Sequence, residues 1–202
     1  LFSGIAAFGS DPTTGKIKLN GDFNLRLLNS FHHAETLKFR WKSIRDSRSQ
    51  LNIQFSIPYI FNEPFSFETS FDLQRVDSTY IISKLKGGIM LLSSGPQNGV
   101  EVSLGRNESS IISNSAYNIS QKENKLLDYT SVSYGIGIRF SKKNHLLNPT
   151  KGHGLDANLV LNRQKVKINA RAPENYYDST KINSFNSILG IDIFRFFPFQ
   201  KN

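Results

Sequence analysis

Apolar and polar residues alternate along almost the whole chain. In the stretch KIKLNGDFNLRLL, residues 16–28, Ile17, Leu19, Phe23, Leu25 and Leu27 take odd positions. Lys16, Lys18, Asn20, Asp22, Asn24 and Arg26 take even ones. Successive side chains of a strand point to opposite faces, so this stretch predicts one long strand with an oily side and an ionic side. ETLKFRWKS repeats the pattern, with Leu37, Phe39 and Trp41 against Lys38, Arg40 and Lys42. QLNIQFSIPYIF sets Leu51, Ile53, Phe55, Ile57 and Tyr59 against Asn52, Gln54 and Ser56. PFSFETSFDLQ sets Phe65, Phe67, Phe71 and Leu73 against Glu68, Asp72 and their polar neighbours. Further segments follow: ISKLKGGIML, GVEVSLGRN, SVSYGIGIRFS, GLDANLVLN and SILGIDIFRF. With LFSGIAAFGS at the start, about ten strands are expected and no helix. Pro58 is tolerable only at a strand end, because proline removes a ladder donor.

The segments between strands fall into two classes. Turn-rich ones lie at 62–64, 93–98 and 148–154, and polar, often longer ones at 44–50, 75–79, 111–128 and 166–181. In chain order the two classes mostly alternate, which sorts them to opposite ends of an up-and-down sheet. Tyr59, Phe61, Phe65 and Phe67 bracket one turn and so share one edge of that sheet, as an interfacial aromatic girdle does.

Two environments suit such strands. In a soluble sandwich a second sheet covers the oily face; in a membrane barrel lipid covers it and the ionic face lines a wet lumen. Strand length favours the barrel, since spanning strands need about 9–11 residues and soluble ones average about five or six. The fold class expected is therefore an all-β, antiparallel, up-and-down transmembrane β-barrel, with residues 1–202 as part of it. Ile17, Leu19, Phe23, Leu25, Leu37, Phe39, Trp41, Ile53, Phe55 and Ile57 are expected to face lipid. Lys18, Asp22, Arg26, Lys38, Arg40, Glu68 and Asp72 are expected to face the lumen, with Glu68, Asp72 and Glu101 pairing with Lys84, Lys86 or Arg106.

Composition changes the picture little. The 202 residues are 38% hydrophobic, contain no cysteine and carry a formal net charge of +9. Thiolate metal sites and disulfides are thereby excluded. The cations are spread through the strands rather than clustered with aromatics, so nucleic acid is not an expected partner. No basic n-region precedes an apolar core at the start, and the longest apolar run, Ile89–Leu92, is far short of a membrane helix. His32 and His33 lack a third ligand at metal spacing, and no nucleophile-elbow pattern surrounds any serine. No enzyme activity, metal or cofactor is expected.

Three stretches carry a family resemblance. NGDFNLRLLNSFHHAETLKFRWK (20–42), LNIQFSIPYIFNEPFSFETSF (51–71) and LLNPTKGHGLDANL (146–159) resemble, in order and spacing, strands and turns of BamA/TamA-type outer-membrane assembly factors, the bacterial surface antigen barrels. The resemblance covers most of residues 1–162. It departs at His32-His33-Ala34, where the family has a glycine-rich link. The family's preceding POTRA domains and its Arg-Gly-Phe/Tyr loop motif are not in the sequence, which fits the N-terminal part of a barrel of about 16 strands. The resemblance implies a bacterial outer-membrane protein that folds and inserts client barrels without nucleotide or catalytic residue. A relative's role, a polypeptide-secretion pore, and a small passive barrel stay open. It implies a periplasmic turn at Asn148, Pro149, Thr150, Lys151 and Gly152. It also implies a gate strand, with Phe2, Gly4, Ile5, Ala6, Ala7 and Phe8 offering a weakly packed edge to an incoming strand. Implied partners are outer-membrane lipid and lipopolysaccharide, client outer-membrane proteins and accessory periplasmic lipoproteins.

Overall fold

The computed structural model describes residues 1–10, 17–44, 48–76, 79–93, 98–113, 126–145, 149–170, 172–173, 176–178 and 180–197. Ten strands form one antiparallel sheet in chain order: β1 Phe2–Ser10, β2 Ile17–Leu28, β3 Thr36–Ile44, β4 Arg48–Ile57, β5 Phe65–Val76, β6 Tyr80–Leu92, β7 Gly99–Ile111, β8 Tyr129–Lys143, β9 Gly152–Val166 and β10 Asn183–Phe196. A 3-10 turn at Ile60–Asn62 lies between β4 and β5. Every strand has nine residues or more, the span that period-2 alternation predicted. β4 stops at Ile57, so Pro58 lies just outside the ladder.

An up-and-down sheet sends alternate connections to opposite ends. The expected turns near 62–64, 93–98 and 148–154 all fall at one end, together with the 29–35 connection. The polar connections fall at the other. Length sorts less well than expected. β3 and β4 extend into the 44–50 segment and leave only 45–47, and β5 and β6 leave only 77–79. Only the connections 112–128 and 167–182 are long.

Those two long connections pack Tyr176, Leu126, Leu127, Ala172 and Tyr177 against Ile111, the last residue of β7, in a buried hydrophobic cluster. Asp128 fastens it: its carboxylate accepts from the Ile111 N–H and from the Asn169 amide, and the Tyr176 hydroxyl donates to the Leu126 carbonyl at 2.7 Å. No second layer covers the sheet among the described residues.

Six non-glycine residues of the described set have positive φ, and all lie in two connections at the turn end: Asn29, His32 and Ala34, then Tyr59, Phe61 and Asn62. His32 and Ala34 thus take the left-handed conformation where the family resemblance leads one to expect glycine. The Glu35 carboxylate holds the first of these turns by accepting from the backbone N–H groups of Phe31 and His33. The Asn29 side chain accepts from the Ala34 N–H at 2.8 Å. Such bonds offset the cost of left-handed L-residues, on the order of 1–3 kcal/mol each.

Candidate functional site: two faces and a free edge

The ladder register decides which residues share a face, because directly opposed residues point the same way. Phe23, Trp41, Leu51 and Leu73 form one row across β2 to β5, and Leu25, Phe39, Ile53 and Phe71 the next. On β7 to β10 the same face carries the row Val102, Ile136, Leu159 and Leu189. Leu37, Phe55 and Ile57 belong to it as well. Ile17, Lys18 and Leu19 are in β2, but their side chains lie outside the described residues. Many side chains of this face stand open: Val102 is 58% exposed, Ile136 55% and Leu189 69%.

Charged rows bound the apolar band on both sides. Arg106, Val132 and Arg163 lie in one row toward the long connections. Lys142, His153 and Arg195 form another toward the turn end. Between these rows β8 runs from Val132 to Lys142, roughly 33 Å of strand. At a barrel tilt of about 45° that is about 23 Å of thickness, near the ~25 Å band of a transmembrane barrel. Arg106 was expected among the pairs on the ionic face. Its register partners Leu85 and Val132 place it on the apolar face instead, where it pairs with Glu108 at 2.6 Å.

The opposite face carries Asp22, Arg26, Lys38, Arg40, Glu68 and Asp72. Two hollows open on it, of about 280 and 300 Å³. The first takes lining residues from β3 to β7 and the second from β6 to β10. Five adjacent strands around one hollow require the sheet to curl about this polar face. Small residues permit the curl: a side chain at Gly105 would run into Ser133, and one at Gly135 into Ser103. The charges of β5 to β9 neutralise one another. Lys86 meets Glu101 at 3.3 Å, and Arg139 bridges Glu101 at 3.8 Å and Asp156 at 3.1 Å. Asp72 accepts from the Asn52 amide and stands opposite Lys84. On β2 and β3 the balance is basic, with Asp22 alone serving Arg40 at 3.7 Å and Lys42 at 3.8 Å.

β1 pairs with β2 and has no strand on its other side among the described residues. Leu1 and Arg26 exchange both backbone hydrogen bonds, each 2.8 Å. In an antiparallel ladder this assigns the rest: Ser3, Ile5, Ala7 and Gly9 turn their backbone groups toward β2. Phe2, Gly4, Ala6 and Phe8 turn theirs to the free edge. All six residues of the expected gate strand are therefore in β1, with Phe2, Gly4, Ala6 and Phe8 on the apolar face and Ile5 and Ala7 on the opposite one. Phe2 packs edge-on against Phe23, ring centroids 4.9 Å apart, and Phe23 likewise against Phe39.

Of the expected turn 148–152, Asn148 lies outside the described residues. Pro149, Thr150 and Lys151 end the connection, and Gly152 opens β9. Sequence reasoning missed Asn144, whose side chain pins this turn by accepting from the Thr150 and Lys151 N–H groups at 3.1 and 3.0 Å. It also missed Glu35. No cluster of three or more metal-binding side chains occurs among the described residues.

No family model and no curated protein matches the chain. The crystal structure of BamA from Haemophilus ducreyi lacking POTRA domains 1–3 is similar to it, at TM-score 0.48 and 10% sequence identity, over 95% of this chain and 46% of that one. The chain thus spans about half the length of that structure.

Proposed function

We propose that this chain is the barrel portion of a bacterial outer-membrane assembly factor, which templates incoming strands of client barrels on the free edge of β1. The observation that carries the membrane assignment is the apolar face on which no protein layer lies among the described residues, bounded by charged rows about one bilayer apart. Its polar reverse is hollow and ionically satisfied over most of its area, as a hydrated lumen requires. The three motif stretches that resemble assembly factors support the client role. The work is binding, without nucleotide or catalytic group. Unpaired N–H and C=O groups of Phe2, Gly4, Ala6 and Phe8 supply main-chain affinity that is indifferent to client sequence.

The test is a proline scan of β1. Ala6→Pro removes a donor from the free edge and leaves the β2 ladder intact; Ala7→Pro breaks the ladder itself. In proteoliposomes, Ala6→Pro should slow insertion of a small unfolded outer-membrane barrel while the chain keeps its own β-sheet circular dichroism. Unchanged insertion would reject edge templating. The excess of Arg26, Lys38, Arg40 and Lys42 over Asp22 favours a second reading, a polypeptide-conducting pore. Planar-bilayer conductance that falls when an acidic polypeptide is added would favour it over the first.

A further inference from the structure

The row Lys142, His153 and Arg195 sits on the apolar face, where β8, β9 and β10 reach the turn end. Adjacent strands lie about 4.8 Å apart, so the two cationic side chains of Lys142 and Arg195, with the His153 ring between them, converge within about 10 Å. Directly beside them on the same face is the apolar row Phe140, Leu155 and Ile193. Like charges in one row repel and do not help the sheet. No aspartate or glutamate occurs in residues 140–155 or 193–202 to relieve them.

The place is also built. A hollow of about 440 Å³ opens between the end of β8, Lys151 and the end of β10, lined by Lys142, Lys151, His153, Arg195 and Phe197 among others. Asn144 fixes the turn that carries Lys151, through side-chain bonds to Thr150 and Lys151. Lys143 and Phe196 line the same hollow from the polar face, and the Lys143 ammonium lies 4.7 Å above the Phe194 ring. The guanidinium of Arg195 stacks 5.0 Å from the Phe197 ring, which holds it at the rim.

We propose that this rim is a headgroup site for an anionic phospholipid. The phosphate would be bound by Lys142, Lys151 and Arg195, and the acyl chains would lie along Phe140, Leu155 and Ile193. The site rests on the membrane reading above. A cationic row at the edge of an apolar belt is complementary to a ligand that is anionic at one end and hydrocarbon at the other; neither a free anion nor a soluble peptide has use for the belt. Basic side chains at an anionic lipid surface each add roughly a fivefold preference.

Native mass spectrometry of the full chain in a neutral detergent tests this. With phosphatidylglycerol and phosphatidylcholine in equal amount, phosphatidylglycerol should be retained at least about tenfold better. Lys142→Gln/Arg195→Gln should abolish that preference, whereas Lys38→Gln/Arg40→Gln on the polar face should keep it. Millimolar inorganic phosphate should not displace the lipid. Equal retention of the two lipids, a preference unmoved by the rim variant, or displacement by phosphate alone would each overturn the site. A chain that stays soluble and folded without detergent would instead overturn the membrane reading, and is seen before any lipid is added.

Discussion

Replacing Ile136 by arginine separates lipid from water on the apolar face. Ile136 lies mid-band on β8, between Val102 and Leu159, and is 55% exposed. If water covered it, less than half of its side chain would be buried by folding. Since full burial of an isoleucine is worth about 1.5–3 kcal/mol, Ile136→Arg would then cost about 1 kcal/mol. If hydrocarbon covers it, an arginine near the midplane adds about 2–4 kcal/mol, for a total of at least about 3 kcal/mol. Val132→Arg supplies the internal control, because Val132 already lies in a row with Arg106 and Arg163 at the band's margin. There the charge should add only about 0–1 kcal/mol. Reversible urea unfolding from phospholipid vesicles, followed by the single tryptophan, Trp41, measures both. Equal and small costs at 132 and 136 would refute a lipid-covered face, and with it the assembly role.

Three further outcomes follow from the geometry. Glu35→Gln should lower the urea midpoint at neutral pH, because the carboxylate accepts the Phe31 and His33 N–H groups in a left-handed turn. Burial raises the affinity of this carboxyl for its proton, but the backbone bonds from Phe31, Glu35 and His33 and the charge of His33 outweigh it and hold the group below the ordinary glutamate range. A depressed carboxyl stabilises above its unfolded pKa and loses that contribution as pH falls through the folded one. The gap between wild type and Glu35→Gln should therefore close on acidification below about pH 4.5; a gap that is constant with pH would contradict this. Gly135→Val should destabilise by roughly 1–3 kcal/mol through overpacking against Ser103, and Ser103→Gly in the same chain should restore part of it. Arg139→Gln should cost at most about 1 kcal/mol, since its bridges to Glu101 and Asp156 are half-exposed, and 1 M salt should shrink the loss.

Alternation by itself determined the strands, their number and the division of residues between faces. Side chains on a strand have a period of two, and residues such as Phe23 and Asp22 differ too much in hydration to exchange faces. Seven of the nine connections join consecutive strands through eight residues or fewer, and all consecutive strands pair. What the alternation could not say was whether the oily flank met a second sheet. Only the tertiary structure removed that layer, leaving Val102, Ile136 and Leu189 open on one curled sheet. Arg106 shows the other boundary of sequence reasoning: its face depends on register across Leu85 and Val132, and a one-residue slip would reverse it. The rim of Lys142, His153 and Arg195 was invisible for the same reason. Its members are far apart in the chain, and only the ladder sets them side by side.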